Sequence, residues 1–335
     1  MNRRMLIAAA AAVAALAALA PAVAPRAETE LKLAHFLPPR HQLHTQVFVP
    51  LAEEVKKISG GKLTIRIFPA GELGKGPNEQ FKRAQTGIAD IAFGLAGYTS
   101  AQFPATLLIE LPGVAANTVE ATEQLWRVLD ARLKGEFRGT KVLGLWVNDT
   151  NLLLTRAKAI KAIDDVKGLK IRVPSALAGE VVKAWGGTPV AMPVDQVYQA
   201  MDTGVVDGAY IGPSALRSFR LNEVANHLTV GTPTAFAAQY LVMNEGKWNG
   251  LSPDEKAWLE KAVGLEFSKN AARIYEKEGD SGVAAFKEKK PVSQVDAAEA
   301  AKFQAAADRV IAAHVAELER KNIPAGKILA AMKGK

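Results

Sequence analysis

The chain has 335 residues, 49% of them apolar and 23% charged, with a formal net charge of +8 and no cysteine. The missing cysteines exclude a disulfide framework and thiolate catalysis, and a chain this long buries a large core without covalent staples and fits two domains. Lysine and arginine alternate with acids, and no arginine-rich or aromatic-interleaved stretch appears, which argues against a nucleic-acid partner.

Residues 1–27 read as a secretory signal peptide. Arg3 and Arg4 precede an unbroken apolar run from Met5 to Ala20, and small residues follow. The run is too short and too alanine-rich for a membrane anchor. A cut after Ala24 would leave Pro25 at the new terminus, so cleavage is expected after Ala27 or Ala22. With no second segment of spanning length, the mature protein is expected to be soluble and periplasmic.

Leu31 to Phe36 alternates as a strand and ends at Pro38-Pro39. Val47, Leu51, Val55 and Ile58 then share one face of a helix from His44 to Ile58, which Gly60-Gly61 stops. A strand over Leu63–Phe68, a helix from Asn78 to Thr86 and a strand from Ile88 to Leu95 complete a βαβαβ series. Such a series implies a parallel sheet flanked by helices. The second half repeats the style with strands at Val142–Val147, Asn151–Thr155, Leu169–Val173, near Pro189-Val190, Val206–Ile211 and Gln239–Asn244. Helices are expected at Ala176–Trp185 and Val194–Asp202. From Ser252 onward the pattern is helical with a break at Lys289 to Ser293, and Ser252-Pro253-Asp254-Glu255 is a strong helix start. No internal repeat or low-complexity linker is evident.

Catalytic motifs are missing from the sequence: no Gly-x-Ser-x-Gly elbow, phosphate loop or His-Glu-x-x-His occurs. His41 and His44 lack a third nearby ligand and read as loop and helix-start residues rather than a metal site. The acids Asp164, Asp165, Asp202 and Asp207 fall at helix ends and turns, where carboxylates cap N–H groups. No enzyme activity, cofactor or metal is expected. The one residue that asks for chemistry is Arg172, on the otherwise apolar strand before Pro174. A guanidinium keeps its charge, so it needs an anionic partner there, either a protein acid or a ligand carboxylate.

Six segments in order resemble the solute-binding proteins of tripartite ATP-independent periplasmic (TRAP) transporters, the DctP family. They are Phe68–Gly74, Gly87–Ala92, Glu110-Leu111-Pro112, Asp165–Pro174, Tyr198–Gly208 and Tyr240–Asn244. The resemblance implies an α/β clamshell of two lobes, each a mostly parallel sheet flanked by helices, with a helical C-terminus. It implies a monomer that captures a small organic acid and delivers it to membrane permease subunits. Arg172 matches the arginine that grips the ligand carboxylate. Lobe I would comprise 28–149 and about 237–276, and lobe II 150–236 and about 277–330. The same clamshell also serves periplasmic sensors, and an exported α/β enzyme is the remaining alternative.

Several positions depart from the family's better-known branches. The second arginine of the sialic-acid-binding branch is replaced by Asn151 or Leu152, and its Glu-Asn pair by Tyr210-Ile211. An acid after the third strand becomes Leu95, an amide after the first becomes Phe36, and Val194 stands in place of an aromatic. The acid-and-aromatic pair of the metal-dependent 2-oxo-acid branch becomes Pro213-Ser214. The ligand set expected is therefore Arg172, Asn151, Leu152, Phe36, Leu95, Tyr210, Ile211 and Gln239. One fixed cation within an apolar wall suits a monocarboxylate with a hydrophobic or aromatic body.

Overall fold

The computed structural model describes residues 28–334, so the expected signal peptide lies outside the described residues. In chain order the strands are β1 (Thr29–Ala34), β2 (Leu63–Phe68), β3 (Ile91–Leu95), β4 (Thr140–Val147), β5 (Leu152–Thr155), β6 (Lys170–Val173), β7 (Thr188–Ala191), β8 (Gly208–Ile211), β9 (His227–Val230), β10 (Ala238–Asn244) and β11 (Val292–Gln294). They form a five-stranded sheet, ordered β2-β1-β3-β10-β4, and a six-stranded sheet, ordered β11-β9-β5-β8-β6-β7. Helices flank both, and the chain is the two-lobed α/β fold with a helical C-terminus that the sequence implied.

Each sheet is parallel except for one strand. β10 runs antiparallel to β3 and β4, and β5 runs antiparallel to β8 and β9. These two strands are the ones that enter a sheet directly from the other lobe. The parallel strands finish at the cleft, whereas a strand arriving across the cleft begins there and must run the opposite way. The same geometry gathers the C-terminal ends of β1, β3, β6 and β8 around the interlobe space, where ligands of open α/β sheets bind.

Local chemistry explains the elements. In β1, Leu31 and Leu33 are buried while Lys32 is exposed, the alternation of a half-buried strand. Ser252 accepts from the Glu255 amide and the Glu255 carboxylate accepts from the Ser252 amide at 2.7 Å, a reciprocal cap at the helix start expected from the sequence. Several elements were not expected, three of which bear on the frame. The helix Thr118–Val128 is capped by the Asn117 side chain, which accepts from Glu120 N at 2.9 Å. β9 and β11, of four and three residues, are too short to show a period. The third strand begins at Ile91 rather than Ile88, because Asp90 turns aside to accept from Lys32 N at 2.8 Å and Ile88 is left exposed. Ile328 and Met332 of the last helix, Ala325–Met332, pack in a cluster with Leu125 and Leu145 on the side of the first sheet.

Candidate functional site

Arg172 occupies the middle of β6. Its neighbours Ile171 and Val173 point into the core of the second lobe, so strand alternation turns Arg172 to the opposite face, on the wall of a cavity between the lobes. Pro174 cannot continue the strand, and Ser175 caps the helix Ala176–Ala184 by accepting from Ala178 N at 3.1 Å. The side chain is buried, at 1% exposure. Its Nε donates to the Met192 carbonyl at 2.9 Å, and among the described residues its Nη2 has no hydrogen-bond partner. No described Asp or Glu forms an ion pair with it. Burial pulls its pKa down, while the Tyr98 hydroxyl and Asp195 act in the opposite sense. A desolvated guanidinium with a free donor is costly unless an anion meets it. Of the two partners the sequence left open, the structure supplies no protein acid.

The space beside Arg172, counted out to its open mouth, measures about 450 Å³. Of the residues expected there, Phe36, Leu95, Asn151, Ile211 and Gln239 line it together with Arg172. Phe36 stacks on Phe93 with ring centroids 5.5 Å apart, which fixes its plane at the wall. Asn151 accepts from Asn148 Nδ2 at 3.1 Å and keeps its own amide N–H groups free among the described residues. Two expected residues lie elsewhere. Leu152 packs in the core at the start of β5, and Tyr210 sits edge-on to Trp185 with centroids 5.3 Å apart, inside the second lobe. Period two accounts for Tyr210, since Ile211 faces the cleft and the residue before it faces away. Leu152 pairs with Ile211 on the same sheet face, but its side chain is taken up by core neighbours. Burial pushes the Tyr210 hydroxyl far above its ordinary pKa.

Sequence reasoning missed Tyr98, His41 and Tyr275. Tyr98 belongs to the first lobe, three residues beyond β3, and its hydroxyl accepts from Val194 N of the second lobe at 3.0 Å. It thus closes the cleft directly over Arg172. Burial raises the Tyr98 pKa, and the facing guanidinium opposes that shift. Its place just past a strand end was a usable signal. Tyr275 comes from the long helix Leu265–Lys287, far along the chain, and no local pattern marks it. His41 was read as a loop residue, but it is buried on the cavity wall with its ring edge toward Phe219 and Tyr275, at 5.5 and 6.0 Å.

The wall is also more polar than expected, though much of that polarity is engaged within the protein. Asn148 Oδ1 accepts from Ala237 N at 2.5 Å, and Ser214 donates both its amide and its hydroxyl to Asp149, at 2.7 and 2.8 Å. Burial raises Asp149 to about 7, and the same cause raises Glu110, which accepts from Ser175 and Ala238, to about 7. Among the described residues no group of three or more metal-binding side chains converges.

Two α/β lobes meeting over a cavity at their strand ends, with a buried and incompletely partnered guanidinium in its wall, define a clamshell binding protein. Residues 33–318 match the model of the bacterial extracellular solute-binding proteins, family 7 (DctP), and the chain belongs to this family of TRAP transporter solute-binding proteins. Its members bind small-molecule ligands and work with TRAP permease components. A solute-binding protein of Albidiferax ferrireducens is 29% identical over 248 residues, covering 73% of this chain and 72% of its own. A TRAP solute-binding protein from Rhodoferax ferrireducens, crystallised with copurified benzoate, superposes with a TM-score of 0.88 at 26% identity, covering 91% of this chain and 97% of its own. Another from a Sulfitobacter species, with bound β-D-galacturonate, superposes at 0.77 with 21% identity over 92% of this chain and all 100% of its own. The fold alone therefore does not choose between aromatic and sugar acids.

Proposed function

We propose that this protein captures an organic monocarboxylate with an aromatic or hydrophobic body in its interlobe cleft and delivers it to a TRAP membrane permease. Arg172 carries the reading: its buried guanidinium with a free Nη2 awaits an anion, and it is the residue that matches the family's carboxylate-gripping arginine. Asn151, with its free amide N–H groups beside it on the wall, is a second donor to the same carboxylate. Phe36, Leu95 and Ile211 cover the body, and the stacked Phe36–Phe93 pair offers a flat apolar face to a ring. The benzoate found in the Rhodoferax relative supports an aromatic ligand. A sugar acid would bring a ring of hydroxyls to these apolar side chains, which leave them without partners.

The protein acts as a monomer in the periplasm after loss of residues 1–27, with lobe I at 28–149 and about 237–276 and lobe II at 150–236 and about 277–330. The last helix, Ala325–Met332, falls largely in that lobe II range but packs beside Leu125 of lobe I. The test is a thermal-shift screen of the mature protein against aromatic, 2-oxo, hydroxy and dicarboxylic acids, since a bound ligand raises the melting temperature by linkage. Aromatic monocarboxylates are expected to give the largest rise. A response confined to dicarboxylates or sugar acids overturns the proposal.

A further inference from the structure

Resting on that reading, one set of groups in the cavity goes further. Arg172 and its neighbours account for a carboxylate and an apolar body, yet two other polar groups on the wall point to a further demand on the ligand. His41 is 2% exposed. Its Nδ1 accepts from Leu43 N at 3.1 Å, which fixes the tautomer: the proton sits on Nε2. Burial first, then the neighbouring His35 and His44, lower its pKa to about 3, so the ring is neutral and offers a single N–H donor. The edge-on contacts with Phe219 and Tyr275 hold the ring plane. Nε2 has no protein partner among the described residues.

Gln239 is the second group. It is also 2% exposed, lies on β10 opposite Leu95, and its Oε1 is buried without a partner. Tyr275 connects the two, since its ring meets His41 and its hydroxyl is met by the Gln239 amide.

We infer that His41 and Gln239 form a hydroxyl-recognition point, and that the ligand is a hydroxyl-bearing aromatic monocarboxylate rather than an unsubstituted one. A hydroxyl is the neutral group that satisfies both at once, accepting from the His41 Nε2–H and donating to the Gln239 Oε1. A charged second group is excluded by the same arrangement. A second carboxylate would face the Gln239 oxygen, and an ammonium would face the His41 N–H. Because both protein groups are buried, a ligand lacking the hydroxyl leaves them unpaired, which is the situation in which a site discriminates most strongly.

Isothermal titration of the mature protein with benzoate and phenylacetate, each beside its ring-hydroxylated isomers, tests this. At least one hydroxylated isomer is expected to bind at least about tenfold more tightly than its parent. His41→Asn keeps an oxygen for the Leu43 amide, as in an Asx-turn, while its shorter side chain withdraws the N–H from the Nε2 position, and Gln239→Leu removes the acceptor. Each is expected to erase most of that preference, read as the ratio of the parent and hydroxylated Kd values. Equal binding of every isomer and its parent by the wild type overturns this inference and leaves carboxylate capture standing. So does a variant that weakens parent and hydroxylated acids alike. The wild-type comparison decides even where a variant fails to fold, and no response to any of these acids removes the carboxylate reading together with this one.

Discussion

Arg172 and Asp149 show two opposite ways of burying an ionisable group. Asp149 receives two hydrogen bonds from Ser214 and is pushed toward its neutral form, whereas an arginine has no such escape and must find an anion. A charge-assisted hydrogen bond is worth about 1.5–3 kcal/mol, so a two-bond grip on a carboxylate amounts to at least about a hundredfold in affinity. Arg172→Ala is therefore expected to weaken ligand binding by at least about a hundredfold, and Arg172→Lys to recover little, because the fork is lost. Calorimetry checks both, and full affinity in the lysine variant contradicts the grip. The buried acids and imidazoles also set a pH profile. Glu110 and Asp149, raised to about 7, hold protons more tightly when folded, so their stabilisation is present in acid and fades as pH rises toward and through 7. His35 and His41, lowered to about 3, bind protons more weakly when folded, so their contribution is present above about 6.5 and fades as pH falls. Between about 4.5 and 6.5 the two pairs oppose each other, and stability should be nearly flat there, then decline toward pH 8. Urea titrations of the double variant Glu110→Gln, Asp149→Asn should instead show stability lost from pH 6.5 to 5, with the histidine slope uncovered. At this scale the sequence made Arg172 legible, because a charge on an apolar strand stands out. It hid His41 and Tyr275, whose roles depend on neighbours that only the folded chain supplies.

Both lobes use one device that the sequence read as unrelated segments. Thr86-Gly87-Ile88-Ala89-Asp90 and Thr203-Gly204-Val205-Val206-Asp207 each end a helix and launch a strand. In each, the threonine hydroxyl donates back one helical turn, to Lys82 O at 2.9 Å and Gln199 O at 2.8 Å. The glycines take φ of 75° and 76°, and the aspartates accept from Lys32 N and Lys170 N, both at 2.8 Å. Five residues are too few to register as a repeat without the fold, yet here they set the same helix-to-strand turn twice. The capping role expected for Asp207 is met in this form. Strand positions were legible where apolar alternation ran over five or more residues, as in β2 and β10. They were not where a strand is held mainly by its neighbours, as β9 is held between β5 and β11. Gly279 bears on the long helix Leu265–Lys287. A Cβ there would lie 2.6 Å from Asp149 Oδ2 and 3.0 Å from Asp149 Cβ. Replacing a mid-helix glycine by alanine ordinarily gains about 1 kcal/mol. Gly279→Ala is instead expected to lose about 1–3 kcal/mol to overpacking, read as a lower urea midpoint.

Across the whole molecule, the contacts between the lobes include Tyr98 on Val194, Glu110 on Ser175, and Gly97 against the turn after Arg172. A Cβ on Gly97 would fall 2.7 Å from Ser175 Cβ and 3.1 Å from the Pro174 carbonyl oxygen. Gly97→Ala should therefore prop the lobes apart, leaving each lobe's own core intact. The expected result is at least about a tenfold loss of affinity with a larger radius of gyration in small-angle scattering at saturating ligand, since closure needs contact from both sides. An unchanged radius contradicts the wedge. The two-lobed plan was legible because helix and strand patterns alternate in both halves. The exact seat of the C-terminal helix was not, because an amphipathic helix does not state which surface it covers. The first sheet lacks its fourth-ranked strand until residues 238–244 are made, and the second lacks its edge until residues 292–294. Neither half is a finished unit of contiguous chain, so commitment to the native state comes late in synthesis. A chain cut short before residue 238 is therefore expected to leave both sheets open and both halves sensitive to protease.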